Sequence, residues 1–290
     1  MAHSTRDRAP SPALKRRDQN LKSRFAESVF CPAPVAVPWS RMIPRELQPL
    51  LAGGLWGGVA LLVIIGLAAV AGRAVFTADL AARAQPIREQ ALGALHRDDP
   101  HMAERARDVD LVDRRFAAHP FVTLLHVIPG GLFLLLAPLQ FFERIRRGHV
   151  RLHRWSGRSL VPLAFVSAAS GLYFGLLMPY GGVGEATAIA LFGGIFLTAV
   201  SRAFLAIRGR QVARHREWMI RAFAIAIGTS TVRLVALVLD LTITPAGFAP
   251  RDAFVLSIWT GWALTLGAAE LWISYTRPLA QTPAVPVSVV

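Results

Sequence analysis

Arg147-Gly148-His149-Val150-Arg151-Leu152-His153-Arg154-Trp155 sets the topology of this chain, and Arg208-Gly209-Arg210-Gln211-Val212-Ala213-Arg214-His215-Arg216-Glu217-Trp218 repeats its theme. Both stretches contain Arg-Gly, then His-Arg, then Trp, and the two His-Arg pairs lie 62 residues apart. Each is set between apolar runs of about 20 residues, the length at which a helix crosses the ~30 Å hydrocarbon core of a bilayer. Six such runs are read, at 50–72, 121–142, 160–180, 187–207, 218–240 and 253–275. Hydrophobic residues fill 53% of the 290 positions and charged ones 17%. That is too little charge to cover a soluble domain of this size. The chain is therefore expected to be an all-α, six-span transmembrane bundle. Two related hairpins, one around each basic turn, would form a four-helix core, and the first and last spans would flank it.

A net charge of +14 invites a nucleic-acid reading, but the distribution of charge argues for a membrane surface. Segment 143–158 holds six Arg against one Glu, and 208–217 holds four Arg against one Glu. By contrast, 73–120 balances eight Arg against eight acids. Short basic loops stay on the cytoplasmic side of a membrane. With six spans the alternation closes without conflict: both termini and both basic turns are expected in the cytoplasm of a bacterial cell with an inner membrane, and loop 73–120 outside. The partners expected are the lipid bilayer and, at the cytoplasmic face, anionic lipid head groups. Nucleic acid is not expected.

The transmembrane domain reads as 50–275, between a basic N-terminal tail, 1–49, and a Pro-containing C-terminal tail, 276–290, both expected to be disordered and cytoplasmic. Cys31, the one cysteine, lies in the first tail, so an intrachain disulfide and a multi-cysteine metal site are excluded. Met1 and Met42 are alternative starts, and a cleaved signal peptide is not expected, because the first apolar run is too long for one. After the first span, 77–95 has the spacing of an amphipathic surface segment. Gly53, Gly54, Gly57 and Gly58 make two overlapping Gly-xxx-Gly pairs in the first span. Such pairs let helices approach closely and offer a face for a homo-oligomer.

Polar residues inside a membrane are expensive and therefore informative. His126, Gly130, Phe133, Ala137 and Gln140 share one face of the second span by the 3.6-residue period. The stripe suits either a flat macrocycle or a close helix contact with two interhelical hydrogen bonds. His153 and His215 occupy corresponding positions at the cytoplasmic ends of the two hairpins. Paired imidazoles on facing helices can hold a haem iron from both sides, which makes these two the metal-ligand candidates, with b-type haem as the cofactor. Their alternative role is interfacial, among residues that bind lipid phosphate. Arg158, Arg221 and Arg233 are the candidate partners for an anion or for haem carboxylates. Arg202, Arg221 and Glu270 lie at similar depth in spans four to six and are expected to neutralise one another. Arg233 has no evident acid nearby; an anionic ligand or a network with His126, Thr229 and Thr231 would account for it. No Cys-x-x-Cys-His or His-Glu-x-x-His motif occurs, so attached c-type haem and zinc-protease chemistry are disfavoured.

A set of short motifs carries a resemblance. They are His126 with Gly130, Pro138-Leu139-Gln140-Phe141, His153-Arg154-Trp155-Ser156-Gly157-Arg158, Gly171-Leu172-Tyr173, and His215-Arg216-Glu217-Trp218-Met219-Ile220-Arg221. Together they resemble the bacterial predicted membrane proteins catalogued as domain of unknown function 2306. That resemblance implies a fold and a choice of residues, but no activity. The layout is also distantly similar to four-helix b-type cytochromes, from which the chain departs by carrying Gln140 where a second histidine would stand. The sequence does not decide whether the protein is an enzyme. Two functions are open: a membrane module that binds a haem-like redox or anionic cofactor in its core, or a small transporter or structural and assembly protein without catalysis.

Overall fold

The computed structural model describes residues 47–77, 111–243 and 247–277. Expectations for the two tails, Cys31, Met42 and the amphipathic segment fall almost wholly outside them. The described helices are α1 (Leu47–Thr77), α2 (Pro120–Leu136), α3 (Glu143–Gly148), α4 (Val150–Leu177), α5 (Gly182–Arg208), α6 (Val212–Thr242) and α7 (Pro250–Thr276). A further helical stretch, 111–118, precedes α2. All but α3 are long and apolar enough to cross a membrane, giving six spans among the described residues.

Proline sets several boundaries. Pro120 and Pro250 open α2 and α7, where the missing N–H costs nothing. Pro138 cannot donate to an α-helical carbonyl, and the backbone tightens into a 3₁₀ turn, Pro138–Phe141. Several serines and threonines within the spans return their hydroxyls to carbonyls of their own helix, as Ser170 does to Val166 (2.7 Å) and Ser201 to Leu197 (2.7 Å). In hydrocarbon, where water cannot serve, that leaves those hydroxyls satisfied.

Consecutive spans α2, α4, α5 and α6 pack side by side into a four-helix core. Its centre holds Phe133, Leu160, Ala164, Phe192, Phe196, Ala199 and Phe223. Small residues set the spacing: Ala188, Ala199, Ala203 and Ala222 are fully covered and let α5 and α6 approach closely. α1 covers the seam between α2 and α6. A Cβ on Gly66 would stand 2.8 Å from the Ser230 hydroxyl and 2.9 Å from Leu134. α7 lies against α6 and touches α5, its indoles donating from Trp262 to the Ile225 carbonyl (3.0 Å) and from Trp259 to that of Gly184 (3.2 Å). Among the described residues nothing comes within 4 Å of a Cβ placed on Gly53, Gly54, Gly57 or Gly58, so their side of α1 is open there.

The segments read as basic turns are mostly helical. The first is α3 followed by the opening turn of α4; the second is a short link at Gly209-Arg210-Gln211, after which α6 begins at Val212. Helix hydrogen bonding therefore extends past the apolar runs into the charged residues, where hydropathy alone marks an end. His153 and His215 consequently sit on first helical turns, with fixed directions.

Candidate functional site

One end of the bundle carries α3, the starts of α4 and α6 and the ends of α5 and α7; it is called here the basic end. Gln140, in the 3₁₀ turn, donates from Nε2 to the Ser156 hydroxyl (2.7 Å), which in turn donates to the Leu152 carbonyl (2.6 Å). The Gln140 carbonyl oxygen, Oε1, is buried with no hydrogen-bond partner. It lies beside Gly157, where a Cβ would stand 3.6 Å from it. His153 lies one turn from Ser156 and Gly157 on the same face of α4, and its Nδ1 is likewise buried and unpartnered. The charges whose fields reach His153 are those of His215, Arg146 and Arg154.

His215 is held differently. Its Nδ1–H donates to the Ala203 carbonyl at the end of α5 (2.9 Å). That bond fixes the tautomer and leaves the Nε2 lone pair unused, the arrangement usual for a metal-binding imidazole. Arg216 donates to the Thr276 hydroxyl (2.6 Å), and Arg154 and Arg158 are exposed. Among the described residues no three His, Cys, Asp or Glu side chains converge as a metal cage. A pair of imidazoles is the set that a macrocyclic metal leaves room for on its axis.

Arg221 is engaged by protein. Its Nε and Nη2 meet the two oxygens of Glu270 (2.5 and 2.8 Å), and Glu217 lies 3.9 Å away. The predicted staple between the fifth and sixth spans is present, but Arg202 joins it through a ring. Arg202 and Arg221 both lie over Trp218, at 5.1 and 4.8 Å from its centroid. The indole face offers the negative end of its quadrupole to two guanidiniums, which the sequence reading had assigned to Glu270 alone.

The other end, called the far end, holds His126 and Arg233. The Nδ1–H of His126 donates to the Ser167 carbonyl (2.8 Å), and the Ser167 hydroxyl returns a bond to the His126 carbonyl (3.0 Å). Glycines permit the contact: a Cβ on Gly171 would lie 2.8 Å from the imidazole, and one on Gly130 would lie 2.8 Å from the Ser167 hydroxyl. His126 and Gln140 thus each bond to α4, as a helix contact with two interhelical hydrogen bonds requires. Arg233 does not join His126 and Thr231: it donates to the carbonyl of Thr229 in its own helix (2.7 Å), while the Thr231 hydroxyl has no partner. His215 and Arg233 are 18 residues apart on α6, about 27 Å by helix rise. The seven sequence candidates therefore divide between two ends.

Three further polar groups stand outside the seven candidates. Arg146, on α3, reaches the basic-end cluster, and only the turn of helix after Phe142 brings it there. Ser156 is the bridge between Gln140 and α4. Glu185 is buried at the far end, accepting the Gly181 N–H (2.5 Å), with Arg115 and Arg251 placed by the Tyr180 ring. An acid one turn into an apolar span was its available signal.

Six bilayer-length helices around a small-residue core make this a multi-pass helical membrane protein. The chain belongs to a family described as predicted membrane protein, DUF2306, which matches residues 123–273. The match runs beyond the stretch that carries the resemblance and includes Glu270, while α1 lies outside it. No curated protein and no solved structure matches the chain.

Proposed function

We propose that this protein binds a haem-like redox cofactor, b-type haem, at the basic end of its four-helix core. His153 and His215 would hold its iron, and Arg146, Arg154 and Arg158 would pair with its carboxylates. The observation that carries the reading is the pair of orphaned atoms, His153 Nδ1 and Gln140 Oε1, buried together at one end of the bundle. A buried polar atom without a partner is costly, by about 1–3 kcal/mol, so a site that keeps two is better explained by an occupant. The prepared Nε2 of His215 supplies the second donor.

In this reading His126 is structural, Gln140 is anchored to α4 through Nε2 while its Oε1 is left for the occupant, and Arg221 serves Glu270 rather than the cofactor. Those same bonds favour the second reading, a structural or assembly protein whose polar residues only fasten helices. The visible spectrum separates the two. The full chain, expressed with ample haem and purified in detergent, is expected to show a Soret band that the double variant His153→Ala/His215→Ala lacks. A protein without a band sinks the haem reading, and a band that survives the double variant sinks the ligand assignment.

The proposed setting is a bacterial inner membrane, with the basic end and both termini in the cytoplasm against anionic head groups. A cytoplasmic reporter fused after Val290 is expected to be active; an inactive fusion overturns that orientation. The open glycine face of α1 is the proposed contact for a second copy.

A further inference from the structure

Arg233 is exposed on α6, on the stretch of the bundle surface next to α1. α6 runs for 31 residues, ~46 Å, against a hydrocarbon core of ~30 Å, so each end overhangs by ~8 Å if the helix is centred. Arg233 lies nine residues from the far end of α6 at Thr242, ~14 Å, which puts its Cα ~6 Å inside the hydrocarbon. It donates to the Thr229 carbonyl, which already serves its own helix, so among the described residues most of its five N–H donors remain unused. Among the described residues no carboxylate pairs with it. Asp240 stands seven residues further along α6, ~10 Å by helix rise.

A second cation deepens the problem. Arg73 of α1 reaches the same surface, tied to Asp113 (2.6 Å) and lying over Phe116 at 4.4 Å. Its charge acts on Arg233, whose own charge in turn reaches His126 within the bundle. Among the described residues, the acid found beside these groups is Asp113, and it pairs with Arg73. A guanidinium exposed at hydrocarbon depth, beside a second guanidinium, is stable only with an anion supplied from elsewhere. The described residues leave Arg233 exposed, the long Arg stem can swing toward a headgroup layer, and a guanidinium fork fits two phosphate oxygens.

We propose that the far end of the α1–α6 seam is a phosphate-binding site, with Arg233 as the direct ligand and Arg73 adding positive field. It is separate from the basic-end site and needs none of its residues. Phosphate can reach it as a phospholipid head from the surrounding leaflet or as the free ion from water.

The test uses the full chain, delipidated in detergent and titrated with phosphatidylglycerol while bound lipid is counted by native mass spectrometry. Wild type is expected to hold one lipid more tightly than the rest. Arg233→Gln should weaken that binding about tenfold or more, the worth of one charge-assisted pair. Arg208→Gln, an exposed cation at the basic end, should leave it unchanged. Competition by millimolar inorganic phosphate assigns the site to the free ion, and its failure to compete assigns it to lipid. Equal lipid affinity in wild type and Arg233→Gln, with both melting alike in the absence of lipid, overturns the proposal. Should Arg233→Gln fold poorly, Arg233→Lys keeps the charge without the fork; binding as tight as wild type in that variant would rule out bidentate recognition.

Discussion

The two basic turns share Arg-Gly, His-Arg and Trp, yet one is braced and the other is left open. In the second, Trp stands three residues after His, so it lies near the histidine's own helical face and packs under Arg202 and Arg221. In the first, Trp stands two residues after His; one residue is a rotation of ~100°, and Trp155 is turned outward at 71% exposure. The connections differ as well. The second is a short link with Arg210 at φ 57°, closed by the Gln211 N–H on the Ala206 carbonyl (2.8 Å). The first spends its length on a 3₁₀ turn, which buries Gln140, and on α3, whose exposed Arg146 adds charge near His153. One inserted residue, Glu217, thus converts an outward motif into an inward clamp. Stability concentrates at the second turn, and unfilled bonding capacity at the first.

Variants can break that contrast. The largest effect is expected from Glu270→Ala, which leaves the part-buried Arg221 without its bidentate partner. A loss of about 3 kcal/mol should appear as a clear fall in melting temperature in detergent. His215→Ala comes next. It removes the bond to the Ala203 carbonyl, which still serves its own helix, for about 0.5–1.5 kcal/mol by denaturant melting. Trp218→Leu should cost about 1 kcal/mol through its two cation–π contacts, and Trp155→Leu should be close to neutral; equal losses would dissolve the comparison. The smallest effect belongs to His153→Leu. Removing an orphaned nitrogen should leave stability within about 0.5 kcal/mol of wild type, or raise it, while abolishing any ligand held there.

Much of this architecture is legible in the sequence because hydropathy and charge asymmetry are strong one-dimensional signals. The six spans emerge from apolar run length, and the Arg221–Glu270 pair from equal depth and opposite sign. The role of Arg202 is not legible, because a ring partner depends on which way Trp218 faces and the run of residues does not state it. Glu185 is missed for a related reason: near a span end, an acid reads as solvated until the Gly181 loop and Tyr180 fold over it. His126 and Gln140 are correctly placed on one stripe, and their bonds to α4 need the neighbouring helix. The helical character of the basic segments is hidden because apolar runs stop where lipid stops, while backbone hydrogen bonding continues.

Adding haem to the purified apoprotein, with the Soret band and the melting temperature read on the same sample, tests the account most directly. A ligand that binds only the folded state raises stability by mass action, so band and melting shift should rise together in wild type. Both should vanish in His153→Leu, whose own melting temperature stays near that of the wild-type apoprotein. A wild type that gains neither signal, or a His153→Leu protein that gains both, would contradict the claim that the open turn is the binding end of this molecule.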